Sequence, residues 1–263
     1  MANIFNEAAY LDRIGLAEPI AVDIAGLRRL QYAHLLCIPF ENLDIHLGRP
    51  IRVHIPDLFQ KIVVHRRAGF CYELNGLFAS LLKTLGFEVT LLSARVANRE
   101  GGFGPEFDHL ALRVDLDQPY VVDVGFGDAF LEPLRLIADV QQNDLQKKFR
   151  LFPQGREWLI QARIADQPFE SLYLFTLIPR SLDDFAERCR YHQTSSGSHF
   201  TRGTICSIVT LSGRVTVNGI RFIETRDGHR AERLIQGEAD LRRLLADHFG
   251  VVDVDSGLLF NRK

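Results

Sequence analysis

The sequence has few cysteines, and they stand far apart. The four are Cys37, Cys71, Cys189 and Cys206. They form no CxxC pair, so the chain has neither a disulfide framework nor the usual ligand spacing of a structural zinc site. His192 and His199 lie near Cys189, but their spacing also matches no zinc pattern. We therefore expect no metal and a reducing, cytoplasmic location.

Long apolar runs and an excess of positive charge are also lacking. No stretch approaches 18 apolar residues, so no transmembrane helix and no membrane partner are expected. The first residues carry neither a basic nor an apolar region, and we expect no signal peptide. The chain has 31 Lys and Arg against 33 Asp and Glu. This balance argues against a nucleic-acid partner.

The 263 residues are 46% hydrophobic, which is enough for a sizeable core. Up to about residue 88 the patterns predict helices, including one capped by Asn6 and one that follows Asp23. Residues 89–190 read as strands of a small barrel or sandwich, with runs at 89–96, 109–114, 120–124, 158–164 and 171–177. The last third alternates strands at 206–211, 214–217 and 221–224 with a helix over 240–249. The Asn218-Gly219 pair predicts a tight hairpin turn.

Cys71 occupies the most informative position. Apolar residues recur after it at helical spacing, and Gly86 ends the pattern. The stripe consists of Leu74, Leu77, Phe78, Leu81, Leu82 and Leu85. Cys71 is therefore predicted at a helix N-terminus, where the helix dipole and free backbone N–H groups favour the reactive thiolate. Cys37, Cys189 and Cys206 lack such a context, and we expect them to be inert thiols.

A base and an orienting group for this thiol are found on two predicted strands. If Val114 faces Gln118 across the turn, His109 lies directly opposite Asp123, which suits an imidazole–carboxylate hydrogen bond. A shift of the register by one residue would separate the two side chains. Asp123 could instead be an ordinary residue at a strand end. The sequence Gly125-Phe126-Gly127 follows at once and would let backbone approach a ligand closely.

Four segments together resemble the arylamine N-acetyltransferase family. They are residues 38–43 (IPFENL); 67–71 (RAGFC) with Glu73 and Asn75; His109 with 122–127 (VDVGFG); and 192–195 (HQTS) with 198–201 (SHFT). Ala68 stands where the family usually has glycine, and Ser196 where it often has proline. The segments occur in the family's order and span nearly the whole chain.

The resemblance implies an α+β fold in three parts. These are an N-terminal helical bundle over residues 1–88, a β-barrel over 89–190 and a C-terminal α/β lid over 191–263. It also implies a cysteine-protease-like triad of Cys71, His109 and Asp123. The implied acetyl donor is acetyl-CoA, and the acceptors are arylamines, arylhydrazines or N-hydroxyarylamines.

The binding residues are expected from the resemblance together with residue type. Phe40, Val96 and Phe126 are candidates for the wall of the acceptor site, with plain core as the alternative for the two phenylalanines. The candidates for contact with coenzyme A are Gly125, Gly127, Ser198, His199 and Phe200. Glu41 and Arg67 could pair to brace the active-site helix, or they could have a solvated or merely structural role.

Three other functions stay open at this point. A cysteine hydrolase or a transglutaminase-like enzyme uses a triad in the same order. A related amide synthase would join a larger acyl thioester to an aromatic amine. A non-enzymatic binding module would have no chemical need for all three of Cys71, His109 and Asp123. The preferred amine, the acyl donor and the oligomeric state are not encoded in a motif.

Overall fold

The computed structural model describes residues 5–17, 19–98, 100–144 and 147–252. Its fold is α+β, as predicted, and the chain forms two compact units. The first is built from the chain up to Ala17, from Ala33–Phe70 and from Ala186 onward. The second is built from Glu18–Tyr32 and Cys71–Phe185. No helix among the described residues is long and apolar enough to span a membrane.

Helices dominate the chain before Cys71. They are α1 (Glu7–Arg13), α2 (Ile24–Cys37), α3 (Leu43–His46) and α4 (Ile55–Phe59), which continues into a π-helical turn over Gln60–Val64. The predicted cap is confirmed, since the Asn6 side chain accepts a hydrogen bond from Ala9 N at 3.0 Å. A two-residue strand that the sequence did not predict, β1 (Phe40–Glu41), follows α2 after Pro39.

An eight-stranded antiparallel sheet forms most of the second unit. Its strands are β2 (Glu88–Val96), β3 (His109–Asp115), β4 (Pro119–Val122), β5 (Leu134–Arg135), β6 (Gln142–Asp144), β7 (Lys147–Gln154), β8 (Glu157–Ile164) and β9 (Glu170–Thr176). They lie in the order β5-β4-β3-β2-β9-β8-β7-β6. A bridge between Ala138 and Leu151 brings the chain after β5 back to β7, so the sheet is a nearly closed barrel. Its interior is apolar and includes Leu92, Val121, Phe149 and Ile160.

Helix α5 (Cys71–Thr84) packs against β2 and β3. It starts at Cys71, and Gly86 follows it with a positive φ of 99°, so both predicted ends are confirmed. Every residue from Cys71 to Ala79 is buried, whereas the single apolar stripe predicts burial of only one face of the helix.

The first unit contains a five-stranded antiparallel sheet in the order β1-β10-β11-β12-β13. The strands that follow residue 200 are β10 (Ile205–Thr210), β11 (Gly213–Asn218), β12 (Arg221–Arg226) and β13 (His229–Leu234). Helix α8 (Glu238–Phe249) packs on this sheet, and its Leu241, Leu244 and Leu245 join Val215 and Val217 in an apolar core. Two shorter helices, α6 (Ala186–Thr194) and α7 (His199–Arg202), precede β10.

The predicted register of the β3–β4 hairpin was wrong. Val114 pairs with Tyr120 and Asp115 with Pro119, so Gln118 lies in the turn instead of facing Val114. Strand β3 runs one residue further than expected, and Pro119, which has no N–H to donate, starts the next strand. The pairing is displaced by two positions along β4, and an even displacement leaves each side chain on the same face of the sheet. His109 and Asp123 thus keep a common face, as diagonal neighbours instead of directly opposed ones.

Candidate active site

His109 and Asp123 form a buried hydrogen-bonded pair. Nε2 of His109 lies 2.7 Å from Oδ2 of Asp123, and both residues are only 2% exposed. A carboxylate can only accept, so Nε2 carries the hydrogen and Nδ1 is the nitrogen available to a nucleophile. The pair has the tautomer that a histidine base oriented by an aspartate requires.

Three further donors surround the Asp123 carboxylate. Oδ2 also accepts from the Tyr173 hydroxyl at 3.0 Å, while Oδ1 accepts from Asn75 Nδ2 at 2.8 Å and from Gly125 N at 2.9 Å. Burial alone would raise the pKa of Asp123, but His109 and the hydrogen bonds from Asn75 and Gly125 hold it below its usual value. The carboxylate is therefore charged at neutral pH.

The contact between Asp123 and Tyr173 also affects the pKa of Tyr173, which is raised. Its hydroxyl is fully buried, and burial followed by the neighbouring Asp123 charge raises the pKa of Tyr173 well above its usual value. The phenol therefore stays protonated and serves as a donor.

Helix α5, which begins at Cys71, is joined to this carboxylate by a hydrogen bond from Asn75. Asn75, which binds Asp123, is one helical turn after Cys71, and residues four apart share a helix face. A Cβ at Gly125 would lie 2.8 Å from Cys71 Cα and 3.0 Å from Cys71 O. The loop after β4 thus lies directly against the backbone of Cys71, and only glycine permits this approach.

Tyr72 fixes the chain just before His109. Its hydroxyl donates to the Phe107 carbonyl at 2.7 Å, and Phe107 N donates to Ser93 Oγ at 2.7 Å. Phe107 has a positive φ of 63°, which is strained for an aromatic residue and is held by these contacts. Helix α5 therefore supplies both Cys71 and a support for the strand that carries His109.

Two of the predicted acceptor-wall residues lie in the same unit as His109. The ring of Phe126 meets that of His109 edge-on at 5.2 Å and lies 5.2 Å from Tyr173. Val96, half-buried at the end of β2, is paired with Tyr173 across the sheet. Gly127 follows Phe126 with φ of 90°.

The other predicted binding residues belong to the first unit. Phe40 lies in β1 with its ring 6.1 Å from that of Phe200. The Ser198 hydroxyl caps α7 by accepting from Phe200 N and also contacts His192 Nδ1 at 3.0 Å. His199 is exposed and its ring lies against that of Phe200, with centroids 3.9 Å apart and planes tilted by 41°.

The remaining polar and thiol residues also have defined surroundings. Arg67 donates to Glu41 at 3.0 Å and to Asp44 at 2.9 Å, so the predicted pairing of Glu41 with Arg67 is present. Cys189 and Cys206 are buried, and burial raises the pKa of the Cys206 thiol well above its usual value. No group of three or more potential metal ligands occurs among the described residues.

Sequence reasoning assigned no role to three residues that contact this site: Tyr72, Asn75 and Tyr173. The position of Asn75 could have been noticed, because residues four apart share a helix face and Asn75 is four residues after Cys71. Tyr173 had none. It is fifty residues from Asp123, and only the closure of the sheet brings the two together.

The chain matches the family model described as N-acetyltransferase over residues 23–257. It is 34% identical to the arylamine N-acetyltransferase / N-hydroxyarylamine O-acetyltransferase of Salmonella typhimurium (strain LT2), over 95% of this chain and 90% of that protein. It is 31% identical to proansamycin X synthase of Amycolatopsis mediterranei, over 93% of this chain and 96% of that protein. The structure of Mycobacterium marinum arylamine N-acetyltransferase in complex with CoA superposes with a TM-score of 0.90 at 31% identity, covering 98% of each chain.

The α+β fold, with its helices and nearly closed barrel, is that of a solved N-acetyltransferase. The chain belongs to the arylamine N-acetyltransferase family.

Proposed function

We propose that this enzyme transfers an acetyl group from acetyl-CoA to arylamines and arylhydrazines through an acetyl-Cys71 intermediate, and to the oxygen of N-hydroxyarylamines. The observation that supports this most is the buried His109–Asp123 pair, with the Gly125 loop lying on the backbone of Cys71. The Salmonella relative is named for both N- and O-acetyl transfer, and the mycobacterial structure contains CoA.

In the first half-reaction, the Cys71 thiolate attacks the acetyl carbonyl and the carbon–sulfur bond to CoA breaks. The imidazolium of His109, held by Asp123, stabilises the thiolate and returns a proton to the departing CoA sulfur. One thioester replaces another, so this step is close to thermoneutral. The helix N-terminus at Cys71 favours the negative charge on the attacking thiolate.

In the second half-reaction, the amine nitrogen attacks acetyl-Cys71 and the bond to sulfur breaks. Aromatic amines are uncharged at neutral pH, so their lone pair is available. His109 need only accept the proton as the new bond to nitrogen forms. CoA leaves before the amine reacts, which makes the kinetics ping-pong.

The substrate contacts belong to the same proposal. Phe126, whose ring meets that of His109, would hold the aromatic acceptor with Val96 and Phe40. Gly125, Gly127, Ser198, His199 and Phe200 would contact CoA. Of the last three, His199 is the exposed one, whereas the Ser198 hydroxyl is occupied by its contacts with Phe200 and His192. The three-part division at residues 88 and 190 and a cytoplasmic location stay predictions.

The test is the intact mass of the protein after mixing with acetyl-CoA in the absence of amine. We expect one acetyl adduct on the native chain and on Cys37→Ala, none on Cys71→Ala, and discharge of the adduct by an aniline or a hydrazine. An adduct that persists in Cys71→Ala, or no adduct together with no CoA release when amine is added, would refute acetyl transfer through Cys71.

The name of one relative favours a second candidate function, that of an amide synthase. Proansamycin X synthase covers almost the whole chain and is not named as an acetyltransferase. An amide synthase acting on a larger acyl thioester would use the same three residues. Competition between acetyl-CoA and a longer-chain acyl-CoA distinguishes the two, since a synthase would load the longer acyl group onto Cys71 in preference.

A further inference from the structure

We propose that Asn75 is a positioning residue that ties the Cys71 helix to the His109–Asp123 pair and holds the Asp123 carboxylate in place. This inference rests on the proposed function, in which Cys71 is the nucleophile. Asn75 is fully buried on α5. Its amide nitrogen donates to the Leu110 carbonyl at 2.6 Å and to Asp123 Oδ1 at 2.8 Å, and its oxygen accepts from Val124 N at 2.9 Å.

These three bonds reach both strands of the hairpin that carries the base. Leu110 follows His109 directly in β3, while Asp123 and Val124 follow β4. The amide thus fixes the nucleophile helix against both partners of the His–Asp pair at once. Gly125 packs against the same part of α5, since a Cβ on Gly125 would lie 2.8 Å from Asn75 Nδ2 and 2.8 Å from Cys71 Cα.

The chemistry of an amide suits this position better than that of a carboxyl group. Two of the groups facing Asn75 accept hydrogen bonds, the Leu110 carbonyl and Asp123, and one donates, Val124 N. Asparagine supplies two donors and an acceptor without adding charge. It therefore lets Asp123 remain an anion in a buried site, where the carboxylate orients the His109 ring.

Aspartate at this position would have nearly the same shape, but its ionised carboxylate would carry a negative charge and could not donate a hydrogen bond. It would face Asp123 at hydrogen-bonding distance, and two carboxylates so close retain a shared proton to a raised pH. While protonated, the new carboxyl could donate one bond to Asp123. As the pH rises and the shared proton is lost, the two charges would repel and the Gly125 loop would move away from Cys71.

The test measures the alkylation rate of Cys71 by iodoacetamide between about pH 5.5 and 8.5. Mass mapping of the Cys71 peptide gives the rate, and circular dichroism gives the folded fraction at each pH. We expect the rate of Asn75→Asp relative to the native chain to fall from within about threefold at the acid end to below about one tenth at the basic end. Ser80→Ala, which removes a polar group elsewhere on α5, should follow the native rate at every pH.

A constant ratio across the pH range would overturn the positioning role and leave the proposed function intact. Alkylation needs no acyl donor, so failure of acetyl transfer does not affect this measurement. If Cys71 in the native chain reacts no faster than in Asp123→Asn, the triad itself fails, and the inference fails with it.

A second variant covers the case in which Asn75→Asp does not fold. Asn75→Ser keeps a small polar group and adds no carboxyl. We expect its Cys71 alkylation rate to be about tenfold lower at all pH values, with no new pH dependence. A native rate in this variant would overturn the proposal.

Discussion

Asp123 is the residue through which most of the candidate site is connected. It accepts hydrogen bonds from two side chains of the barrel, His109 and Tyr173, from Asn75 of α5 and from the backbone of Gly125. An anion with four donors is oriented as well as neutralised. The orientation of His109 therefore depends on several elements, and each can be altered separately.

Asp123→Asn removes the charge and keeps the size of the side chain. We expect the rate of acetyl-Cys71 formation to fall by a factor on the order of 10³, because the imidazolium of His109 loses its partner and the tautomer is no longer fixed. Tyr173→Phe removes only one of the four donors and keeps the ring, so its loss should be about five- to tenfold. Stopped-flow measurement of CoA release gives both values. Equal losses in the two variants would contradict this ranking.

At the scale of elements, the loop after β4 must fit closely against the start of α5. In Gly125→Ala the added methyl group would lie 2.8 Å from Cys71 Cα, closer than real contacts allow, so the loop must shift. We expect at least a tenfold loss in Cys71 alkylation rate and a lower melting temperature. Gly203→Ala is the control, since a Cβ there meets nothing within 4 Å. A native rate in Gly125→Ala would show that the contact is dispensable.

A buried ion cluster stabilises the segment between α2 and α5. Arg67 is shared by Glu41 and Asp44, and Lys61 reaches Asp44 at 2.8 Å. Burial alone would lower the pKa of Arg67, but the two carboxylates raise it above its usual value. Arg67 is thus charged, and removing it leaves an excess of negative charge in a largely buried place.

Arg67→Gln should therefore reduce the free energy of unfolding by roughly 3–5 kcal/mol. Arg49→Gln is the matched control, because Arg49 is half exposed and lies 3.8 Å from Asp44. Its effect should stay within about 0.5 kcal/mol. Urea unfolding followed by fluorescence measures both. A loss in Arg49→Gln as large as that in Arg67→Gln would indicate that burial does not decide the outcome.

For the whole molecule, two buried carboxylates with lowered pKa values, Asp44 and Asp123, contribute to the response to acid. Burial would raise the pKa of Asp44, but Lys61 and Arg67 hold it below the usual 3.8, and the pKa of Asp123 is also lowered. A carboxyl group whose pKa is lowered in the folded state stabilises the protein at pH values above the pKa that the group has in the unfolded chain. That stabilisation is lost as the pH falls through the folded value.

We therefore expect the melting temperature to drop steeply between about pH 4 and pH 2, and less steeply in Asp44→Asn. Asp57→Asn, which removes a half-exposed carboxylate, should retain the native slope. Scanning calorimetry at half-unit pH intervals gives the three curves. Parallel curves for Asp44→Asn and the native chain would exclude a contribution from Asp44.

Some strands could not be predicted, for physical reasons that can be stated. Only alternate positions of β7 are fully buried, and the strand contains Pro153 and three basic residues, so its apolar signal is weak. All six residues of β13 are exposed, and it is a strand only because it pairs with β12 through the Asp227-Gly228 turn. The register of the β3–β4 hairpin also depended on where the turn begins, which composition leaves open.

The sequence by itself determined the helix that begins at Cys71, the strands that carry His109 and Asp123, and the family. These features rest on local periodicity and on residues that occur together in motifs. Only the tertiary structure decided that Tyr173 and Asn75 meet the same carboxylate and that Gly125 lies against Cys71. Those contacts join residues up to 54 positions apart. They depend on how the barrel closes and on the surface that α5 buries, and a linear pattern does not record either.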